Sequence, residues 1–315
     1  VKVLFHFQAS ASLQSWLATQ PRDGIDIVFC PESDVDLFER FLPQADVVWH
    51  LLKPVTADII ARAPRLRLIQ KVGVGVNTID LQAAARRGIA VCNMPGVNSR
   101  AVAEMTLALM LAAARRLPVL INRLQAGHWT VPDEIQDGLF ELHGKTIGLV
   151  GSGNVPRILA SWLDAMGAKV VYHNRSVTPA FAYEWLPLVD LLRRSDIVSL
   201  HVPLATETHN MIGHAQFQQM KPQAILVNTA RGELVDAVAL RQALDQRRLA
   251  LACLDVFATE PIPLDDPMLG RDDVIATPHT AWLTRDMFTR AMQIALDNTR
   301  RLAADQPLLH RISVT

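Results

Sequence analysis

The sequence has little cysteine, three residues in 315, and they stand far apart at Cys30, Cys92 and Cys253. No CxxC or comparable ligand spacing exists, which argues against both a metal site and a disulfide framework. Each lies in an apolar run and reads as a small core residue. The chain also lacks net charge, with 31 basic and 31 acidic side chains. A balanced surface gives no electrostatic reason to expect nucleic acid or an anionic membrane as partner. A long apolar run is missing too. The longest, 105–114, is too short to span a bilayer and is flanked by Glu104, Arg115 and Arg116. The opening VKVLFHFQAS reads as a strand, without the basic-then-apolar pattern of a secretory leader. A cytoplasmic enzyme or binding protein is the default that these absences leave.

What is present is a regular alternation. The length suits two domains. Apolar, β-branched runs at 2–7, 25–30, 47–52, 66–73 and 89–94 alternate with amphipathic stretches, among them TADIIARA and TIDLQAAARRG. Thr56 and Thr78 are expected to cap those two helices at their N-termini, and Gly88 to close the second. The pattern restarts with runs at 146–151, 169–174, 197–202, 224–230, 249–257 and 274–279. Continuous apolar runs fit parallel strands covered on both faces, so the expected fold is α/β with two doubly wound sheets. The joints fall in 93–100, which leads into a very apolar helix around 101–117, and near 279–286, before a last helical stretch. If that helix returns to the first domain, the chain crosses between domains twice.

GLVGSGNVPR, 148–157, raises the first functional question. Gly151 and Gly153 follow a strand and precede a helix with apolar residues Ile158, Leu159, Trp162, Leu163 and Met166, the context a dinucleotide-binding loop requires. The glycines permit a tight turn and close approach to a pyrophosphate seated on the helix N-terminus. A plain tight turn is the alternative. The third glycine is missing, and Pro156 stands in its place. Proline is tolerated in the first turn, where the amides lack intrahelical acceptors, so the phosphate contacts fall to Asn154 and Val155. A slightly displaced helix is expected. Also missing is the carboxylate that a NAD site usually places about 20 residues on. The sequence there is HNRS: Asn174, then Arg175, which can meet a 2′-phosphate bidentately, and Ser176. This favours NADP over NAD, unless Arg175 merely faces solvent.

Three polar residues stand at or just beyond the ends of consecutive apolar runs: Arg231, Glu260 and His279. In a parallel sheet, ligands gather beyond the carboxyl ends of strands, so the three have a reason to converge. Together they suit hydride transfer to a 2-keto acid. The arginine holds the carboxylate and carbonyl, the histidine donates the proton, and the glutamate favours the charged imidazole and fixes its ring. Singly, each is as well explained as a structural or solvated side chain.

These segments, with KVGVGVNTID (71–80), NMPGVNSRAVAEMTLALMLAAARR (93–116), HVPLATETHNMI (201–212), VNTARGELVD (227–236), CLDVFATEP (253–261) and TPHTAW (277–282), resemble the D-2-hydroxyacid dehydrogenases of the formate/glycerate dehydrogenase type over nearly the whole chain. NRS and HTAW are similar to the glyoxylate/hydroxypyruvate reductase branch. The resemblance implies a flavodoxin-like substrate domain from both chain ends, 1–95 plus 284–315, with a Rossmann cofactor domain, 96–283, inserted. It implies Arg231, Glu260 and His279 as the catalytic set. Leu51, Val74, Gly75 and Trp282 would join Arg231 and His279 at the substrate, with Leu52 a further contact. Thr106, Gly151, Ser152, Gly153, Asn154, Val155, Asn174, Arg175, Ser176, Val202, Pro203, Thr208, Thr229, Ala230 and Asp255 would stand on the cofactor side. No metal is implied. The helix from Ala101 would build a homodimer, where the residues alone allow simply a core helix. Trp282 has interdomain packing as its bland alternative. Lys71 either tunes affinity for an anion or faces solvent. His50, His128, His143 and His201 match no catalytic motif. The expected activity is reduction of glyoxylate or hydroxypyruvate by NADPH, with domain closure excluding water. An NAD(H)-dependent D-2-hydroxyacid dehydrogenase of another substrate and a non-catalytic, corepressor-like dinucleotide sensor are the alternatives.

Overall fold

The structure, a computed structural model, describes residues 1–313. The chain divides into two compact units: Val1–Asn98 with the stretch from Leu283 onward, and Ser99–Trp282.

The first unit holds β1 (Lys2–His6), β2 (Asp26–Cys30), β3 (Val47–His50), β4 (Leu68–Lys71) and β5 (Ala90–Cys92), all parallel, in the order β2-β1-β3-β4-β5. That is the flavodoxin-like order. Leu4, Val48, Ile69 and Val91 pack on one face with Phe38, Ile60 and Ala84 from the crossover helices. The last helix, Arg285–Ala303, belongs to this unit. Trp49 Nε1 donates to Thr299 Oγ1 (3.2 Å), and Asn298 Nδ2 donates to Gln70 Oε1 (2.6 Å), all four residues being buried.

The second unit holds β6 (Thr146–Val150), β7 (Lys169–His173), β8 (Glu184–Trp185), β9 (Ile197–Leu200), β10 (Ile225–Asn228), β11 (Leu251–Leu254) and β12 (Val274–Ala276). Their order is β12-β11-β10-β9-β6-β7-β8, with every pairing parallel. This is the doubly wound arrangement extended by one strand. Alternate residues feed two cores. Val150, Val198, Leu200 and Leu226 face Leu191, Phe217 and Leu240. Ile147, Leu149, Ile225 and Val227 face Leu109, Leu159 and Leu163. Each fully buried leucine or isoleucine contributes about 1.5–3 kcal/mol, so burial on both faces selects apolar runs rather than alternation.

Several local expectations are corrected. Thr56 caps its helix by accepting from Ile59 N, but Thr78 caps none. Asp80 takes that place, accepting from Ala83 N, because a carboxylate two residues on is better placed for the free amides. The Thr78 hydroxyl meets His50 Nε2 instead (2.8 Å). The apolar helix runs Ser99–Ala114 and stops where Arg116 turns left-handed (φ 48°), and a separate helix, Leu117–Gln125, follows. The two-residue β8 lies in a stretch with no strand signal. Most strands end one to three residues before their apolar runs do, and those leftover residues carry the polar groups described next.

Candidate active site

The loop after β6 is built around close backbone approach. Gly151 has φ +118°, donates its amide to His173 O (2.8 Å), and would place a Cβ 2.7 Å from His201 O. No side chain fits between the ends of β7 and β9 at that point. Gly153 differs, because a Cβ there would meet nothing within 4 Å. It caps the helix Asn154–Ala165, whose first turn carries no acidic side chain and no side-chain cap. Open space beside unpaired first-turn amides fits a phosphate. Pro156 is the third helical residue, buried, and the helix runs through it unbroken. Its missing N–H is one that would have no intrahelical acceptor.

The Ser152 and Asn174 side chains hold each other. Asn174 Nδ2 donates to Ser152 Oγ (2.8 Å) and to Thr178 Oγ1 (3.3 Å), and Ser152 Oγ pairs with Thr178 Oγ1 (2.8 Å). Asn174 Oδ1 accepts from the Arg175 amide (3.0 Å). Arg175 and Ser176 are exposed, and among the described residues the Arg175 guanidinium has no hydrogen-bond or ion-pair partner. The residues present thus fit a dinucleotide, and the exposed Arg175 guanidinium follows Asn174 directly in the chain. Arg157 braces this edge by donating to Ser152 O and Ala180 O. Val202 is half-buried and Pro203 exposed, and Thr208 Oγ1 ties their turn by donating to Pro203 O (2.7 Å). Thr106 has no exposed surface. Its hydroxyl donates to Val102 O and pairs with Thr229 Oγ1 (2.9 Å), so it supports Thr229 from within the core.

His279 and Glu260 meet. His279 Nδ1 donates to Glu260 Oε2 at 2.6 Å, and Glu260 Oε1 accepts from the Phe257 amide at 2.9 Å. Burial works to raise the Glu260 pKa. The His279 hydrogen bond, the Phe257 amide and the charges of His279 and Arg231 outweigh it and hold the carboxyl below the usual range. An ionised carboxylate cannot donate, so the Nδ1 proton is assigned to the histidine. Its Nε2 has no hydrogen-bond partner among the described residues. Arg231 follows β10. Burial lowers its pKa, against the opposing charges of Glu260 and Glu233, and Nη1 donates to Ala230 O (2.6 Å).

Asp255 is not placed as a cofactor-facing side chain. It is wholly buried, and both oxygens are occupied within the loop that carries the histidine. Oδ1 accepts from Thr277 Oγ1 (2.6 Å) and the Thr280 amide (2.9 Å), and Oδ2 accepts from the Ala281 amide (2.9 Å). Its carbonyl accepts from the His279 amide (2.8 Å). His279 needs this support, because its φ is +52°, a conformation that costs a non-glycine residue about 1–2 kcal/mol. Sequence reasoning missed this role and that of the Phe257 amide. The available signal was a carboxylate closing an apolar strand, where burial demands several donors.

Trp282 ends the second unit and is buried. In the first unit, Val74 is exposed and its carbonyl accepts from Asn93 Nδ2 (2.9 Å), Gly75 is half-buried, and the Leu51 side chain is buried while Leu52 is half-buried. Lys71 does not face solvent. It is buried, with Nζ donating to Leu51 O. The His50 ring bonds to Thr78 within the first unit, and His201 Nε2 to Ser199 Oγ (2.9 Å) within the second. Burial lowers the His50 pKa to about 2, with Lys71 and His6 adding to it, and burial lowers that of His201 to about 3. His128 and His143 are exposed.

The sequence profile described as D-isomer specific 2-hydroxyacid dehydrogenase, NAD binding domain, matches residues 107–281. The chain belongs to that family. A glyoxylate reductase of Korarchaeum cryptofilum is 38% identical to this dehydrogenase over 273 residues, 85% of this chain and 82% of the relative. A D-3-phosphoglycerate dehydrogenase of Methanocaldococcus jannaschii is 38% identical over 253 residues, 79% of this chain and 48% of the relative. The D-lactate dehydrogenase of Lactobacillus jensenii, solved with NAD+, is 31% identical with a TM-score of 0.81, and the match covers 100% of both chains. The dehydrogenase is therefore an NAD(P)-dependent oxidoreductase of the 2-hydroxyacid class. Among its described residues no helix is long and apolar enough to cross a membrane.

The depressed Glu260 pKa sets a pH dependence. A carboxyl lowered on folding stabilises the native state fully above its unfolded value and loses that contribution as pH falls through the folded one. Glu260→Gln is expected to be less stable than the parent near pH 7, and the gap is expected to close on acidification. Urea unfolding of both proteins from about pH 7 to about pH 3 reads this. A gap that does not change with pH would contradict it.

Proposed function

We propose that this dehydrogenase reduces small 2-keto acids, glyoxylate or hydroxypyruvate, to the 2-hydroxy acids, with NADPH preferred over NADH. The observation that carries the reading is the His279 Nδ1–Glu260 Oε2 hydrogen bond of 2.6 Å, which leaves Nε2 without a partner among the described residues and able to donate once the ring is protonated. NADPH, when bound along the Gly151–Val155 turn, supplies the hydride to the keto carbon. Protonated His279 donates from Nε2 to the carbonyl oxygen as it gains charge, and Glu260 stabilises the imidazolium before that transfer and orients the ring throughout. Arg231 holds the carboxylate and polarises the carbonyl. Thr229, Ala230, Val202, Pro203 and Thr208 contribute on the cofactor side, and Trp282 at the substrate. The same reading gives the Val74 and Gly75 amides, with Leu51, a share in binding the substrate. The first unit is then the substrate domain, and the second the cofactor domain.

Two observations support the finer points. Among the described residues the Arg175 guanidinium of HNRS is unpaired and Asn174 is already engaged with Ser152, so HNRS presents neither a carboxylate nor a free amide to an unmodified ribose. The helix Leu117–Gln125 buries none of its residues and exposes Leu117, Ile121 and Leu124 along one face, which supports a homodimer as the assembly.

Purified protein is expected to oxidise NADPH with glyoxylate or hydroxypyruvate in a panel of keto acids. His279→Gln is expected to lower turnover about 10²–10⁴-fold with little change in NADPH affinity. Dinucleotide binding without turnover on any keto acid would favour a sensor, and turnover confined to another keto acid would shift the substrate. Replacing Arg175 with alanine is expected to reduce kcat/KM for NADPH about tenfold or more, the worth of a charged hydrogen bond, and to leave that for NADH unchanged. Equal losses with both cofactors would reject the phosphate-reading role. For the dimer, light scattering after gel filtration is expected to give twice the 34.8 kDa chain mass, and Ile121→Asp to give the single-chain mass. A monomeric parent would rule the dimer out.

A further inference from the structure

We infer that Gly232 is a positioning residue for this reduction: its missing side chain lets the arginine loop and the glutamate loop touch, and this contact sets the Glu260–His279 pair relative to Arg231. The inference rests on the roles proposed above for those three residues. Gly232 is buried, and its backbone is not in the left-handed region, so conformation alone would accept alanine. The space would not. A Cβ would lie 2.0 Å from Phe257 C and 2.3 Å from both Phe257 O and Ala258 N. Carbon atoms rest about 3.5–4 Å apart, so more than about 1 Å of backbone movement is needed. All three obstructing atoms are main chain, and no change of rotamer relieves them.

Which loop would yield follows from how each is held. The arginine loop is pinned by the buried Asn228, whose Nδ2 donates to Arg231 O (2.8 Å) and whose Oδ1 accepts from the Ala230 amide (3.1 Å). Among the described residues, the Phe257 carbonyl and the Ala258 amide of the opposite loop have no hydrogen-bond partner. A cavity of about 180 Å³ lies beside the contact, bordered from both loops by Asn228, Gly232, Phe257 and Ala258. Displacing the Phe257–Ala258 peptide carries with it the Phe257 amide, the donor that holds Glu260 Oε1 (2.9 Å), while Oε2 holds the histidine (2.6 Å). A methyl group at 232 therefore acts on His279 through two hydrogen bonds, without touching substrate or cofactor.

The test is a double-mutant cycle with Gly232→Ala, Glu260→Gln and the double variant, assayed with NADPH and the preferred keto acid across pH. Gly232→Ala is expected to lower kcat up to about 100-fold, as ångström-scale misplacement does, with KM for NADPH nearly unchanged. The alkaline limb of its kcat/KM profile is expected to move to lower pH, because the carboxylate has withdrawn from the imidazolium. The double variant should be no slower than Glu260→Gln alone. Losses that multiply, or an unmoved pH limb, would overturn the positioning role while leaving the roles of the three residues intact. Wild-type turnover in Glu260→Gln would instead overturn those roles, and the inference with them. Should Gly232→Ala fail to fold, Glu260→Asp probes the same bridge. One methylene shorter, it cannot span the Phe257 amide and His279 together, so kcat should fall and the alkaline limb move down. An aspartate enzyme as fast as the parent, with the parent's pH profile, would refute the inference.

Discussion

Both oxygens of Asp255 are withdrawn from water and bound to three donors in the segment 277–281, and the geometry around His279 depends on that arrangement. The histidine backbone is left-handed, which costs about 1–2 kcal/mol. Hydrogen bonds to a charged group are worth about 1.5–3 kcal/mol each, enough to hold the conformation. The imidazole is then delivered to Glu260 rather than continuing along the line of β12. Glu260 is in turn oriented by a main-chain amide, so side-chain freedom is removed at each step from the core outward.

The parallel sheet explains why these groups gather where they do. Strands β10, β11 and β12 end at one edge, and each hands over to a loop after three or four residues. Asn228, Asp255 and Thr277, at or just beyond the strand ends, bond to loop groups that would otherwise lie unsatisfied near the core. The β6 turn follows the same logic with a glycine in place of a polar side chain. At Gly151 the neighbouring strand leaves no room for a Cβ, whereas at Gly153 the space beside the helix N-terminus stays open.

Much of this was legible in the residues. The apolar runs at 146–151 and 224–230 locate β6 and β10 because a strand covered on both faces must be apolar throughout. Pro156 reads as compatible with a helix start, and the helix Asn154–Ala165 runs through it. Other positions misled for identifiable reasons. Thr78 and Asp80 are both plausible caps by composition, and the choice between them depends on a contact with His50 that is 28 residues distant. Lys71 reads as solvated or anion-facing, since nothing local reveals that Leu51 O, 20 residues earlier, receives its ammonium.

The sequence alone therefore determined the strand–helix alternation, the glycine turn after β6 and the order in which Arg231, Glu260 and His279 follow successive strands, since periodicity, glycine placement and chain order are local properties. Tertiary structure decided that Glu260 and His279 lie within 2.6 Å, that Asp255 faces inward to hold the histidine loop, and that a Cβ at Gly232 would meet the Phe257–Ala258 backbone. Each of these is a distance between segments brought together by parallel pairing, and such distances depend on how the strands are ordered and where each loop leaves the sheet, which no single stretch of chain encodes.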